Sequence, residues 1–141
     1  MDGQAEGFGK LKCGRALVEG KAKVEGAVVK VSHPLSFLGE VDPKEGKLYD
    51  GREIKDKVLV IKGVRGSTVG SYVIYALRYY NKAPSAILIE GEADPIVVAG
   101  CVMADVPLAD RFGELPLKDG DKVAVEFEGK RACVYLPRIP T

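Results

Sequence analysis

The middle of the sequence alternates buried-strand patterns with helical patterns, and this order constrains the fold most. The segments "DKVLVIKG" (56–63) and "PSAILIEGE" (84–92) each contain a compact apolar run typical of a buried strand. Apolar residues recur at helical spacing from about Val69 to Tyr80, which predicts a helix there. Asp94 followed by Pro95 predicts a second helix over 95–104, although its branched residues and Gly100 leave a strand as the alternative. Strand, helix, strand, helix in this order predicts an α/β domain.

The flanking segments favour β-structure. Residues 10–32 alternate polar and apolar types, with Gly20 and Gly26 as breaks, which predicts short strands and turns. Residues 33–51 are rich in Pro, Gly and Asp, and we expect an ordered loop or several turns. A short strand is expected at 106–110 and a hairpin around Gly129 at 121–136. The expected architecture is therefore a mixed sheet or barrel with about two helices.

Size and charge place limits on the class of protein. The 141 residues suit one domain, 1–141, of which we expect 1–10 to be flexible. The 21 basic and 20 acidic residues nearly cancel, which predicts neither a nucleic-acid nor a membrane partner. The sequence contains no apolar run of bilayer length and no signal-peptide pattern, so we expect a cytoplasmic protein.

The three cysteines give no sign of a metal site. Cys13, Cys101 and Cys133 are far apart, odd in number and embedded in apolar or alternating segments. This pattern predicts reduced thiols that serve as small core residues. Because there is no CxxC pair, we expect no zinc or iron–sulfur cluster bound by this chain alone.

The loop "GVRGSTVGS" (63–71) is the strongest candidate for chemistry. Its glycines let the backbone approach a ligand, and the first amides of the following helix offer free N–H groups to an anion. Arg65 adds a full positive charge. A purely local interpretation competes with this one, in which Ser67 or Thr68 caps the helix and the glycines only form the turn.

Common motifs do not match this loop. A Walker loop requires GxxxxGK[ST] and a nucleophile elbow requires GxSxG, and both patterns are missing here. A Ser-His-Asp triad would have to use His33, the only histidine, which we interpret as a loop residue. A helix terminus stabilises a charge by only about 0.3–2 kcal/mol, while one pKa unit corresponds to about 1.4 kcal/mol. Ser67 can therefore act as a base only if strong positive charge comes from elsewhere.

Three segments together resemble a known family. "PLSFLGEVDP", "GVRGSTVGSY" and "AP" followed by a strand and "ADPIVVAG" are similar to the swivelling-domain subunits of the aconitase X family, which includes archaeal phosphomevalonate dehydratases. The resemblance is strong over about Gly14–Gly100 and looser over the final hairpin. It implies a β/β/α swivelling fold that closes over a large subunit with an iron–sulfur cluster, 4Fe–4S in type.

The resemblance also implies an activity and roles for residues. The expected reaction is loss of water from (R)-5-phosphomevalonate to give trans-anhydromevalonate 5-phosphate, a step of archaeal isoprenoid biosynthesis. The cluster iron would act as Lewis acid on the departing hydroxyl, and Ser67 matches the serine that accepts the proton. Arg65 and the amides of Gly66 and Thr68 are candidates for binding substrate carboxylate or phosphate.

Some roles stay open at this point. Ser36 can line the same cleft, or it can be a turn hydroxyl that bonds its own backbone. Ser71 is the rival of Ser67, although it is expected about one turn into the helix. Two other functions compete with the first: dehydration of another small hydroxy acid, such as a hydroxyproline, and a noncatalytic assembly domain whose glycine loop only shapes an interface.

Overall fold

The computed structural model describes residues 8–66 and 69–137. Within these residues the chain forms nine strands and three helices. In chain order they are β1 (Phe8–Val18), β2 (Lys23–Val31), α1 (Phe37–Glu40), β3 (Val41–Asp42), β4 (Lys47–Leu48), β5 (Val58–Ile61), α2 (Gly70–Tyr79), β6 (Ala86–Ile89), α3 (Pro95–Ala104), β7 (Leu108–Asp110), β8 (Lys122–Glu128) and β9 (Arg131–Pro137). No helix among the described residues is long and apolar enough to cross a membrane.

Seven strands close into a barrel, which confirms the predicted mixed α/β architecture. Their order is β1-β7-β6-β5-β2-β8-β9, and β1 pairs with β9 to complete the ring. The neighbours β2, β5, β6 and β7 are mutually parallel, while β1 and β8 run in the opposite direction. The small β3–β4 pair lies outside this ring.

The continuous apolar runs are explained by burial on both faces of the sheet. In β5, Val58 and Val60 belong to a core that is shared with β8 and β9 and contains no helix residue, so it fills the barrel. Leu59 and Ile61 belong to a second core shared with α2 and α3. Successive side chains of a strand point to opposite faces, so a strand between two cores must be apolar throughout.

The two predicted helices are confirmed. Helix α2 begins and ends one residue inside the predicted range, and α3 has the predicted bounds. Asp94 caps α3, since its side chain accepts a hydrogen bond from the amide of Val97 at 2.8 Å. The hairpin around Gly129 and the short strand after Pro107 are also confirmed.

The first part of the chain differs from the prediction of short strands. It forms two long strands, and Gly26 lies inside β2 rather than at a break. A Cβ at this position would lie 3.2 Å from the carbonyl oxygen of Asp56, so close packing and not a turn favours glycine here. Residues 8–10 belong to the segment expected to be flexible, but they lie in β1 and pair with β9. Residues 1–7 lie outside the described residues. The loop expected at 33–51 also contains α1 and the β3–β4 pair.

The prediction of three reduced thiols is wrong for Cys13 and Cys133. These residues face each other across β1 and β9, with their Cα atoms 4.0 Å apart, and form a disulfide. They are 120 residues apart in sequence, so only closure of the barrel brings them together. Cys101 is the buried thiol that was expected, and burial raises its pKa to about 12.

Candidate functional site

The candidate loop lies at the carboxyl edge of the parallel strands. Because β2, β5 and β6 run in the same direction, the segments that follow them meet at one edge of the sheet. Helices α2 and α3 also begin there. Ligands of α/β sheets commonly bind outside the carboxyl ends of parallel strands. The glycine loop after β5 is therefore in the part of the fold where a ligand site is expected.

The segment after β2 runs alongside the glycine loop. The amide of Leu35 donates to the carbonyl of Gly63 at 2.9 Å, and the amide of Arg65 donates back to the carbonyl of Leu35 at 3.0 Å. Gly66 has a φ of +113°, and a Cβ there would lie 3.3 Å from Ser36 Oγ. Three predicted site residues, Ser36, Arg65 and Gly66, are thus brought together.

Ser67 and Thr68, the other two predicted site residues, lie outside the described residues. They directly follow Gly66 in sequence. Their predicted roles therefore stay predictions.

Ser36 has a local role in addition to its contact with the glycine loop. It is the N-cap of α1, and its hydroxyl accepts a hydrogen bond from the amide of Gly39 at 3.2 Å. This is the turn-hydroxyl interpretation considered from the sequence. A hydroxyl group also has a proton to donate, so capping leaves its donor available to a ligand.

Glu40 stabilises the segment that follows β2. Its carboxylate accepts a hydrogen bond from the amide of Ser36 at 2.9 Å and lies 2.6 Å from His33 Nε2. Partial burial raises the pKa of Glu40, but the Ser36 amide, His33 and the charge of Arg65 together outweigh it. The pKa therefore lies below its ordinary value. His33 is a loop histidine as expected, with Glu40 as its partner.

The N-cap of α2 is Val69, whose own side chain makes no capping hydrogen bond. The alternative in which Ser67 or Thr68 caps the helix falls on residues outside the described part of the chain. Ser71 is the second residue of the helix and not one turn into it. A Cβ at Gly100 of α3 would lie 2.9 Å from the Cα of Ser71, which shows that Ser71 packs against α3.

A cleft of about 410 Å³, which was not predicted from the sequence, opens at the same edge. Lys30 and Glu90 form its charged wall, with Lys30 Nζ 3.5 Å from Glu90 Oε2, and Lys62 lies next to them. The sequence does contain a signal for this cleft, because Lys62 and Glu90 directly follow the two buried-strand patterns. A larger cavity of about 570 Å³ lies at the opposite, amino edge, where neither α2 nor α3 begins, and we do not assign it to the site.

Comparison with known proteins identifies the fold family. The family model described as the aconitase X swivel domain matches residues 11–134. The chain belongs to the aconitase X swivel-domain family. A crystal structure of Thermococcus kodakaraensis aconitase X in its holo form superposes on this swivel domain with a TM-score of 0.80 and 45% identity. The superposed region covers 89% of this chain and 98% of the Thermococcus chain.

Curated relatives of the swivel domain have a common name. The "Phosphomevalonate dehydratase small subunit" of Thermococcus kodakarensis is 50% identical over 125 residues, which is 84% of this chain and 91% of that protein. The protein of the same name from Aeropyrum pernix is 49% identical and covers 82% of this chain and 86% of its own length. The protein of this name from Methanothrix thermoacetophila is 43% identical, and the match covers 91% of this chain and 95% of that protein.

The described part of this swivel domain does not fit an iron–sulfur cluster. Cluster ligands are thiolates, usually four. Here Cys13 and Cys133 are joined to each other, and Cys101 is buried with a pKa of about 12. Among residues 8–66 and 69–137, no three His, Cys, Asp or Glu side chains are grouped so as to hold a metal ion.

Proposed function

We propose that this swivel domain is the small subunit of a phosphomevalonate dehydratase. This hydro-lyase removes water from (R)-5-phosphomevalonate to give trans-anhydromevalonate 5-phosphate, in the cytoplasmic mevalonate route of archaeal isoprenoid biosynthesis. The observation that carries the proposal is the shared name of relatives that are 43–50% identical over most of their length. The meeting of Ser36, Arg65 and Gly66 at the carboxyl edge supports it, because an anionic substrate needs such a site.

The proposed enzyme has two components. The relatives are named small subunits, which implies a larger partner. In our proposal this large subunit holds the iron–sulfur cluster, 4Fe–4S in type, since the described residues of the swivel domain offer no ligand set for it. The swivel domain alone is then inactive.

The proposed contribution of this chain is proton transfer and substrate binding. Ser67 accepts the proton from the substrate, because it follows Gly66 in the loop that the Leu35 segment holds in place. Arg65 is exposed, and with the amides of Gly66 and Thr68 it binds the carboxylate or phosphate of the substrate. Ser36, whose hydroxyl lies beside Gly66, donates a hydrogen bond to the same substrate group. The further positive charge that Ser67 requires comes from the partner.

Anaerobic reconstitution with the large subunit tests the role of Ser67. We expect Ser67→Ala to lower kcat for phosphomevalonate dehydration by about 10²–10⁴-fold, the usual contribution of a positioned acid or base. Association with the large subunit should be unchanged. The matched control is Ser71→Ala, four residues away, which should keep near-normal turnover because Ser71 packs against α3. Near-normal turnover of Ser67→Ala in an intact complex would show that Ser67 is not the base.

Substrate comparison tests the reaction itself. We expect turnover of 5-phosphomevalonate and none of an unphosphorylated hydroxy acid such as a hydroxyproline. The reverse preference would assign the swivel domain to another aconitase X-type dehydratase. If the large subunit dehydrated phosphomevalonate equally well without this chain, the chain would be an assembly domain.

A further inference from the structure

Helix α2 presents an aromatic face to solvent. Tyr72, Tyr75 and Tyr79 lie at helical spacing on one side, with 72%, 43% and 74% of their surfaces exposed. We call these three residues the tyrosine face. The opposite side of α2, with Val73, Ile74 and Leu77, is buried in the core against the barrel and α3. A soluble domain seldom exposes several large side chains next to one another without a binding role.

Exposed apolar side chains concentrate around this helix. Of the nine large ones that the described residues expose, six belong to α1 and to α2 with its two caps: Leu38, Val69, Tyr72, Tyr75, Tyr79 and Tyr80. Helix α1 packs on α2, since a Cβ at Gly70 would lie 3.9 Å from the Cβ of Phe37. Leu38, which follows Phe37 in α1, is 53% exposed.

The ends of the described barrel lie far from this face. Phe8 and Pro137 pair with each other across β1 and β9. In the ring of seven strands, β5, which leads into α2, is three strands away from β1 in one direction and from β9 in the other. The chain therefore leaves the barrel on the side opposite the tyrosine face.

The tyrosine face is continuous with the candidate site. Tyr72 lies in the first turn of α2, directly after the glycine loop. A partner that closes over the loop therefore comes close to this side chain. Tyrosine suits such a contact, because it offers a large and rigid apolar surface and is enriched in the centres of interfaces.

We propose that the tyrosine face is the surface to which the large subunit docks. The inference rests on the proposed function, which requires a partner over the glycine loop. Tyr72 and Tyr75 form the centre of the contact, next to the site, and Tyr79 forms its outer end. The large subunit then covers the exposed rings and fixes the orientation of α2, whose first turn follows the catalytic loop.

Binding measurements with the large subunit test this docking surface. We expect the double variant Tyr72→Ser/Tyr75→Ser to bind the large subunit at least tenfold more weakly than the unaltered chain, measured without substrate by anaerobic sedimentation. The matched control is Val102→Ser/Met103→Ser, which alters two exposed apolar side chains at the far end of α3 and should bind normally. Normal binding by the tyrosine variant would overturn the proposal.

A cross-linking experiment covers the case in which the double variant fails to fold. A photoreactive phenylalanine analogue at position 75 should cross-link to the large subunit in the complex. Cross-linking to a second copy of this chain, or to nothing, would overturn the proposal. Both readouts are independent of turnover, so a complex that forms through the tyrosine face without dehydrating phosphomevalonate would reject the activity and keep the surface.

Discussion

At the scale of single residues, Glu40 connects most of the groups around the candidate site. Its carboxylate binds the Ser36 amide and His33, while its main-chain carbonyl accepts the amide of Tyr49 at 2.9 Å. Ser36 in turn lies against Gly66. Glu40 therefore supports the segment after β2, which the main chain of Leu35 joins to the glycine loop.

The lowered pKa of Glu40 predicts an acid-sensitive contribution to stability. A carboxyl group with a folded pKa below its unfolded value, about 4.3, stabilises the fold above that pH. The contribution is lost as the pH falls through the folded pKa. We expect Glu40→Gln to lower the free energy of unfolding at pH 6, and the difference from the unaltered chain to shrink toward pH 3.

Denaturant unfolding at several pH values measures this difference. His33→Gln serves as the control, since it removes one partner of Glu40 and leaves the Ser36 amide in place, so its effect should be smaller. A difference between Glu40→Gln and the unaltered chain that stays constant from pH 6 to pH 3 would rule out the ionised carboxylate as the source of stability.

Only part of this network could be predicted from the sequence. The type and order of residues in the glycine loop singled out Arg65 and Gly66, and the family resemblance added Ser36. The pairing of Glu40 with His33 was not predicted, because it depends on the path of an irregular loop and not on a period in the sequence. The roles of Ser67 and Thr68 stay predictions.

At the scale of elements, α2 and α3 approach each other closely at Gly100. A Cβ at this position would lie 2.9 Å from the Cα of Ser71 and 3.1 Å from Cδ1 of Ile74. The first of these atoms belongs to the backbone and cannot move without moving the helix. Gly100 therefore sets the distance between α3 and the first turn of α2.

Substitution of Gly100 should separate the two helices. We expect Gly100→Val to lower the free energy of unfolding by about 1–3 kcal/mol, the usual cost of overpacking. Ala99→Val is the matched control, because Ala99 is exposed on the same helix and should lose only about 0.5 kcal/mol from helix propensity. Equal losses in thermal or denaturant unfolding would argue against the close contact.

The existence of both helices followed from the sequence, but their contact did not. Apolar spacing predicted α2, and Asp94 with Pro95 predicted the start of α3, since both signals act within one turn. Gly100 counted against the second helix, because glycine is a poor helix former. Glycine is needed at position 100 because α2 lies so close to it, and no local sequence pattern contains that contact.

At the scale of the whole molecule, the barrel closes where the ends of the chain meet. β1 and β9 pair along most of their length, and the disulfide between Cys13 and Cys133 joins them across 120 residues of sequence. A link across so long a loop restricts the unfolded chain strongly. We therefore attribute part of the stability of the closed barrel to this bond.

Thiol counting and unfolding measurements test the disulfide. Unfolded without reductant, the chain should show one reactive thiol, that of Cys101, and three after reduction. We expect the Cys13→Ser/Cys133→Ser variant to lose about 2–5 kcal/mol of unfolding free energy. Three reactive thiols without reductant would show that all three cysteines are reduced, as their spacing in the sequence predicted.

The sequence by itself determined most of the elements and the class of fold. Alternating and continuous apolar runs, helix caps and turns act over a few residues, and they predicted an α/β domain with a mixed sheet or barrel, both long helices and the glycine loop. The tertiary structure alone decided the closure of β1 on β9, the disulfide, the approach of Ser36 to Gly66 and the tyrosine face beside the site. The first three of these features join residues that are distant in sequence, and the fourth depends on which side of α2 is buried in the core. Burial of apolar side chains in two shared cores, and not a local pattern, selects these arrangements.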